Sequence, residues 1–203
     1  MYKTKQDEFW AGKFRDDYID RSQDLYPIAL YVYSQIMGKV PGIRTILELA
    51  ANIGIKLEAM HALLPWVTAD AVEINAKAVK ALRARPFIQD VFHGSVLDYV
   101  PAKTYDLVMT SGLMIHLAPE FLPQVYDTMV QASAKYLLVI EYYNPDPVEV
   151  PYRGHSGVLF KRDFAGELMD RHPGVELVDN GFFYRRDKNF PGGDNFWFLL
   201  KKS

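Results

Sequence analysis

The 203-residue chain contains no cysteine. A disulfide scaffold, a metal site built on thiolates and a cysteine nucleophile are therefore excluded. The chain also lacks an excess of one charge, because 23 lysines and arginines face 25 aspartates and glutamates, for a formal net charge of -2. A balance so close to neutral offers no electrostatic attraction to nucleic acid or to an anionic membrane surface. We therefore expect neither as a partner.

Long apolar runs are also missing. No run approaches the ~18 residues that a membrane-spanning helix needs, and the opening MYKTKQDEFWAGKF has no apolar core like that of a signal peptide. We expect a cytoplasmic protein. The apolar fraction of 49% is ordinary for a globular chain. The length suits one domain, so we expect residues 1–203 to form a single unit with a helical lid (1–40) and a core (41–203).

Short apolar runs of strand length alternate with stretches of helical periodicity. The five runs are ILELA (46–50), ADAVEI (69–74), PFIQDVFHG (86–94), YDLVMTSG (105–112) and YLLVIEYY (136–143). The helical stretches are 5–14, 24–37, 54–64, 75–85, 119–133 and 162–171. This alternation predicts a parallel sheet with right-handed crossovers. VELVDNGFFYRR (175–186) and NFWFLLKK (195–202), joined through a Gly/Pro turn, predict an antiparallel hairpin at the sheet edge.

The turn after the first predicted strand is poor in glycine. Residues 48–54 read ELAANIG, with one glycine where nucleotide-binding turns carry two or three. Alanine resists positive φ, asparagine tolerates it, and Gly54 lets the next helix approach a ligand closely. Such a turn offers no run of free amides to a pyrophosphate, so it suits a cofactor without phosphates. Taken alone, it is equally compatible with a strand-to-helix corner that binds nothing.

Three further strand ends carry side chains suited to an adenosine. Glu73 ends the second strand about 20 residues beyond the turn, where an acidic side chain can accept hydrogen bonds from both ribose hydroxyls. Ser95 and Val96 follow the third strand, where an apolar side chain can cover an adenine and a polar one can contact it. Ser111 ends the fourth strand beside Gly112, which leaves room for an amino-acid group. Because the carboxyl ends of parallel strands share one edge, these ends together predict a cofactor of adenosine type.

With these motifs, the chain resembles the class I S-adenosylmethionine-dependent methyltransferases, and among them the small methylases associated with pseudaminic acid biosynthesis. The resemblance covers nearly the full length. It is carried by QDEFWAGKF, YIDR, LELAANIG, AVEIN, YDLVMTSGLMIHL, EYYNPDPVEVPYRGH, LFKRDFAGELMD and FFYRRDKNFPGGDNFWFLLKK. EYYNPDPVEVPYRGH is the most specific segment, since sheet packing does not require it. The family has glycine at the position of Ala50, so we expect the path of the turn to differ here.

The resemblance implies S-adenosyl-L-methionine as the cofactor and no metal, and it leaves the oligomeric state open. It implies an α/β, Rossmann-like fold with a seven-stranded, mostly parallel sheet, a C-terminal antiparallel hairpin and an N-terminal helical lid. A docked helix with buried aromatics is the alternative to a lid. The residues expected to bind the cofactor lie in the lid and at the strand ends: Trp10, Tyr18, Glu48, Ala50, Asn52, Gly54, Glu73, Ile74, Ser95, Val96 and Ser111.

Methyl transfer requires the protein to position an acceptor and, for a hydroxyl or ammonium acceptor, to remove a proton. His116 is a candidate base, although it can instead cap the turn before Pro119. The loop 144–158 is long enough to be functional, and its cations can recognise a carboxylate or phosphate on an acceptor, or simply be solvated. Glu141 can act in the site or be satisfied by backbone amides. The catalytic candidates are His116, Tyr142, Asn144, Arg153, His155 and Tyr184.

Three functions stay open from the sequence. The first is methyl transfer to a small polar acceptor, such as a sugar or natural-product intermediate in a biosynthesis. The second follows from the aromatic residues Tyr142, Tyr143, Tyr152 and Phe182–Tyr184, whose faces can attract a sulfonium. In a closed pocket the cofactor's own amino group can attack the carbon next to sulfur, closing a small ring and releasing methylthioadenosine. The third is cofactor binding without turnover, supported only by Ala50 and Ala51 in the turn.

Overall fold

The computed structural model describes residues 4, 7, 25–152, 154 and 156–203. Its helices are α1 (Tyr26–Met37), α2 (Ile55–Leu63), α3 (Ala76–Arg83), α4 (Leu122–Ala132) and α5 (Phe164–Arg171). Its strands are β1 (Thr45–Leu49), β2 (Thr68–Glu73), β3 (Ile88–His93), β4 (Tyr105–Ser111), β5 (Ser133–Glu141), β6 (Val148–Glu149), β7 (Phe160–Lys161), β8 (Val175–Phe183) and β9 (Asn195–Lys202). No helix in these ranges is both long and apolar enough to cross a membrane.

Seven of these strands form one sheet in the order β3-β2-β1-β4-β5-β9-β8. Strands β1 to β5 run parallel, while β9 pairs antiparallel with both β5 and β8. The predicted mostly parallel sheet with a C-terminal antiparallel hairpin is thereby confirmed. The winding reverses between β1 and β4, and ligands of open α/β sheets bind beyond the carboxyl ends of the strands at such a point.

Helices cover both faces of the sheet. Successive side chains along a strand point to opposite faces, so each strand contributes to both clusters. On β1, Ile46 packs with the cluster formed by α1, α2 and α3, while Leu47 and Leu49 pack with the cluster of α4 and α5. Full burial of a leucine or isoleucine contributes about 1.5–3 kcal/mol each. Glu48 has the parity of Ile46 and therefore points toward α1 and α2, although it is charged and fully buried.

Local signals explain several element boundaries. Asn75 is the predicted N-cap of α3, and its side-chain oxygen accepts a hydrogen bond from the Ala78 amide at 3.0 Å. The helix expected from residue 119 begins instead as a 3-10 turn, Pro119–Phe121, before α4. The segment 144–158, expected as a loop, contributes β6, which pairs antiparallel with β7. Of the helix expected over 5–14, residue 7 alone is among the described residues, and α1 is the described helix of the expected lid.

Candidate active site

A cavity of about 480 Å³ lies beyond the carboxyl ends of the parallel strands. This is the place where open α/β sheets bind ligands, and the volume falls within the roughly 300–1,000 Å³ of small-molecule sites. The cavity extends from Ser95, after β3, to Ser111, at the end of β4. Because β2 and β1 lie between these strands, the two residues stand three strand spacings apart, about 14 Å. The cavity is therefore elongated along the sheet edge.

The turn after β1 forms one wall. Ala50 has a φ of 61°, Asn52 of 53° and Gly54 of 77°, all in the left-handed region. A Cβ at Gly54 would lie 2.8 Å from Leu82 Cδ2, so this position needs glycine for space as well as for conformation. Ala50 and Asn52 border the cavity, whereas Gly54 is the N-cap residue of α2. Alanine at 50 thus adopts a conformation that glycine would adopt without strain.

Glu73 connects this turn to the end of β2. Its Oε2 accepts a hydrogen bond from the Asn52 amide at 2.7 Å, and its Oε1 accepts from the amides of Ile74 and Asn75 at 2.9 and 2.8 Å. The side chain is buried and borders the cavity. Charged acceptors strengthen such bonds, so Glu73 fixes the shape of two turns. Its contact with a ribose stays a prediction.

The end of the cavity near β3 contains a residue that the sequence analysis missed. Ser95 donates its hydroxyl to Asp7 Oδ1 at 2.9 Å, and its oxygen accepts from the Leu97 amide at 3.2 Å. Asp7 borders the cavity with 7% of its surface exposed, and its Oδ2 has no hydrogen-bond partner among the described residues. A buried oxygen without a donor is unfavourable, so this end fits a ligand that donates hydrogen bonds. The predicted Ile74 and Val96 also border it.

A charge pair of a buried carboxylate and a partly buried ammonium lies near the end of β4. The Lys56 ammonium is 2.5 Å from Glu48 Oε1 and donates to the Ser111 carbonyl oxygen at 3.1 Å. Lys56, Tyr33 and Ser111 border the cavity, while Glu48 lies behind them. Burial, and next the Glu48 carboxylate, raise the pKa of the Tyr33 phenol. Sequence reasoning named Glu48 and Ser111 but missed Lys56, whose signal was a single cation at the start of an apolar helix.

His116 and two tyrosines, Tyr142 and Tyr152, border the cavity beyond β4 and β5. His116 Nδ1 lies 2.7 Å from the Val158 carbonyl oxygen, and its ring centroid is 5.4 Å from that of Tyr152. A carbonyl only accepts, so Nδ1 carries the proton, and in a neutral ring Nε2 is the acceptor nitrogen. His116 thereby fastens the segment between β6 and β7 over the cavity.

Two other catalytic candidates, Asn144 and Tyr184, do not border this cavity. Asn144 donates its side-chain amide to the Asp146 carbonyl at 2.5 Å and is not among the residues that border the cavity. Tyr184 is half exposed and packs against Phe182, with ring centroids 6.0 Å apart. Four candidates lie outside the described residues: Trp10, Tyr18, Arg153 and His155.

Glu141 is satisfied by backbone amides. It accepts hydrogen bonds from Leu113 and Met114 at 3.0 and 3.1 Å, and from Ile115 at 3.4 Å. Complete burial nevertheless raises the pKa of this carboxyl to about 7. Glu141 therefore ties the end of β5 to the segment after β4, which carries His116.

The loop between β8 and β9 borders the cavity on the hairpin side, a contact that the sequence analysis did not predict. Pro191, Gly192 and Gly193 border the cavity. Phe190 stacks on Tyr31 of α1, with ring centroids 4.2 Å apart and planes 7° from parallel. The hairpin loop is thereby joined to α1, and both elements contribute residues to the cavity wall.

No protein-family model and no curated protein sequence matches the chain. Solved structures do match by fold. Mitomycin 7-O-methyltransferase MmcR superposes with a TM-score of 0.73 at 12% identity over 98% of this chain, which spans only 61% of that protein. A SAM-dependent methyltransferase from Leishmania major gives a TM-score of 0.74 at 18% identity, covering 98% of this chain and 82% of that one.

A third structure matches over almost the whole of both chains. Magnesium protoporphyrin IX methyltransferase ChlM from Synechocystis PCC 6803, solved with bound SAM, gives a TM-score of 0.65 at 10% identity and 98% coverage of each. Identities this low establish likeness of architecture. The chain therefore has the fold shared by these S-adenosylmethionine-dependent methyltransferases.

Proposed function

We propose that the chain is an S-adenosylmethionine-dependent methyltransferase that acts on a small polar acceptor. The observation that carries the proposal is the elongated cavity at the carboxyl ends of the parallel strands, in a fold shared with such enzymes. Its two ends differ in charge, with Asp7 near β3 and Lys56 near β4. S-adenosylmethionine matches both ends. Its adenosine donates hydrogen bonds, which suits the carboxylate of Asp7, and its amino-acid part carries a carboxylate, which suits the ammonium of Lys56.

The residues at the β2 and β3 ends fit an adenosine. Glu73 and Asp7 are carboxylates that border the cavity, and Asp7 Oδ2 has no donor from the described residues. Val96 offers an apolar surface to a base, and Ser95 a hydroxyl. When bound, the cofactor supplies a methyl group activated by a sulfonium. The chain's task is then to orient an acceptor and to exclude water.

The acceptor side lies around His116. We assign His116 as the base that removes a proton from an acceptor, through Nε2, because Nδ1 is held by the Val158 carbonyl. Tyr142 and Tyr152 present aromatic surfaces beside it, which attract a sulfonium and suit the apolar faces of a sugar or ring acceptor. The neighbours named for mitomycin and magnesium protoporphyrin IX support a small-molecule acceptor. The sequence resemblance supports a nonulosonic or other sugar intermediate as the acceptor in our proposal.

A second candidate is self-cyclisation of S-adenosylmethionine as the substrate. The favouring observation is the aromatic acceptor side, where Tyr142, Tyr152 and Phe183 border the cavity together with the hairpin loop. In this reaction the deprotonated amino nitrogen bonds to the side-chain carbon next to sulfur. That carbon–sulfur bond breaks, and sulfur keeps its electron pair and leaves as methylthioadenosine. The ring nitrogen then gives its extra proton to a base.

One experiment separates these functions. The protein is incubated with S-adenosylmethionine, alone and with a panel of sugar and natural-product acceptors, and the nucleoside product is identified by mass spectrometry. S-adenosylhomocysteine formed only with an acceptor supports methyl transfer. Methylthioadenosine formed without an acceptor, above the level in protein-free buffer, supports cyclisation. Binding without either product supports a non-catalytic binding protein, and failure to bind contradicts all three.

A further inference from the structure

One edge of the large sheet has an exposed apolar surface that the proposed function does not use. β8 is the last strand of that sheet, with β9 on one side and no strand on the other among the described residues. Leu177, Val178 and Phe182 lie on β8 and Tyr184 directly after it, and between 45% and 48% of each is exposed. They are four of the eight large apolar side chains that are exposed among the described residues. Such a concentration on one surface is typical of a protein–protein contact.

Aromatic rings behind β8 hold this surface in place. Phe182 lies opposite Phe196 in the register of the hairpin, with ring centroids 4.7 Å apart, and Tyr184 is 6.0 Å from Phe182. Phe196 in turn is 6.3 Å from Phe198 and 5.2 Å from Tyr143. A row of five rings thus runs from the segment after β5 to the outer edge of the sheet. Rings supported in this way offer contact area at little cost in conformational entropy.

The two ends of this surface carry opposite charges. Glu176 and Arg186 are exposed and form no ion pair among the described residues, whereas Arg185 pairs with Asp194 at 3.3 Å. Glu176 stands five residues before Gly181, and Arg186 five residues after it. A two-fold axis at Gly181 sets a second copy antiparallel to the first, and Glu176 of each copy then faces Arg186 of the other. The surface is therefore complementary to itself in charge, as a two-fold contact requires.

The backbone of β8 is less suited to pairing than its side chains. The register with β9 is irregular between Leu177 and Asp179, and the Asn180 amide donates to the Asp179 carboxylate at 2.8 Å. Such features discourage main-chain pairing along the edge of a sheet. We therefore expect side chains to carry the contact, and a two-fold contact closes after two copies.

We propose that residues 176–186 are the surface through which two copies of this chain form a two-fold dimer. Leu177, Phe182 and Tyr184 pack against the second copy and supply the stabilisation by burial of apolar area. Glu176 and Arg186 fix the antiparallel orientation. The inference is independent of the proposed function, because Phe183 is the only residue of this segment that borders the cavity among the described residues.

The first test is the mass in solution, measured by sedimentation velocity over a range of protein concentrations. We expect a species of twice 23.3 kDa. Phe182→Glu places a carboxylate in the apolar contact next to the two-fold axis. It should weaken the dimer at least about 10-fold, as for loss of an aromatic residue central to an interface. Val100→Glu is the matched control, since Val100 is exposed in another part of the chain, and it should leave the mass unchanged.

Charge reversal tests the two-fold arrangement itself. Glu176→Arg sets like charges against each other at both ends of the contact, and Arg186→Glu does the same with the opposite sign. Each variant should therefore weaken its own dimer by about 10-fold. An equimolar mixture of the two variants restores opposite charges at both ends, so we expect dimers to return. Both positions are exposed, and circular dichroism checks that each variant is folded.

Three results would overturn the proposal. If the unaltered protein is a monomer at every concentration, the surface serves another partner or none. If Phe182→Glu and both charge reversals leave a dimer intact, the copies meet elsewhere. If the single reversals dissociate the dimer and the mixture does not restore it, Glu176 and Arg186 do not face each other across a two-fold axis.

Discussion

Ala50 shows how one residue can store strain in the wall of a cavity. Its φ of 61° lies in the left-handed region, which costs a residue with a Cβ about 1–2 kcal/mol. Ala50→Gly should relieve this strain, against a loss of about 0.5–1 kcal/mol because the unfolded chain becomes more flexible. We expect a net gain in the free energy of unfolding of up to about 1 kcal/mol, measured by urea denaturation.

The neighbouring alanine is the matched control. Ala51 is fully buried and does not have a positive φ. Ala51→Gly should therefore lower the free energy of unfolding by about 1 kcal/mol, through chain entropy and a lost methyl contact. Equal destabilisation by both substitutions would show that position 50 carries no relievable strain.

Glu73 has a structural role in two turns, and one substitution tests the ribose contact that we propose for it. Its carboxylate holds three backbone amides, and we propose that it also accepts hydrogen bonds from a ribose. Glu73→Ala should weaken cofactor binding by about 1–3 kcal/mol, measured by calorimetry at a temperature where the variant is folded. The melting temperature without ligand should fall as well, because the amides lose their acceptor. Unchanged affinity, with the melting temperature lowered, would leave Glu73 with the structural role alone.

At the scale of elements, the end of β5 and the segment after β4 are joined through a titrating group. Burial raises the pKa of Glu141 to about 7 from an ordinary value of 4.5. Between these values the folded chain holds a proton that the unfolded chain has released. The contribution of Glu141 to stability is therefore complete below pH 4.5 and is lost as the pH rises through about 7.

Glu141→Gln removes this titration. We expect the free energy of unfolding of the unaltered protein to fall, relative to the variant, by on the order of 3 kcal/mol as the pH rises from below 4.5 to above 7. Chemical denaturation over this range measures the difference. Glu120→Gln, at an exposed glutamate in the 3-10 turn before α4, serves as the control. Parallel pH curves for the unaltered protein and Glu141→Gln would contradict the prediction.

On the scale of the whole molecule, several elements enclose one site, so a bound ligand should stabilise the entire fold. The strand ends, α1 and the hairpin loop all border the cavity. A ligand at 100 times its dissociation constant adds about 2.7 kcal/mol. For a chain of this size we expect S-adenosylhomocysteine to raise the melting temperature by about 5–10 °C. Uridine at equal concentration is the control, and an equal shift with uridine would contradict a specific site.

Local patterns in the sequence were sufficient to predict most of the fold. Short apolar runs between stretches of helical periodicity predicted the parallel strands of the large sheet, and the Gly/Pro turn predicted its closing hairpin. Both signals depend only on residues that are neighbours in the chain. The short pair β6–β7 was not predicted, since two-residue strands have no period. The strand ends also predicted residues that border the cavity, including Glu73, Ser95 and Ser111. Parallel strands bring their carboxyl ends to one edge whatever lies between them.

The sequence by itself therefore determined the architecture and the edge of the sheet that carries the site. Only the tertiary structure decided which charged side chains contact the residues at these strand ends. Asp7 contacts Ser95 across 88 positions, and Lys56 contacts Ser111 across 55. Asn144 and Tyr184, which looked equally suitable in the sequence, are not among the residues that border the cavity. The physical reason is that such contacts depend on strand order and on the packing of α1 and α2 against the sheet, which no local pattern encodes.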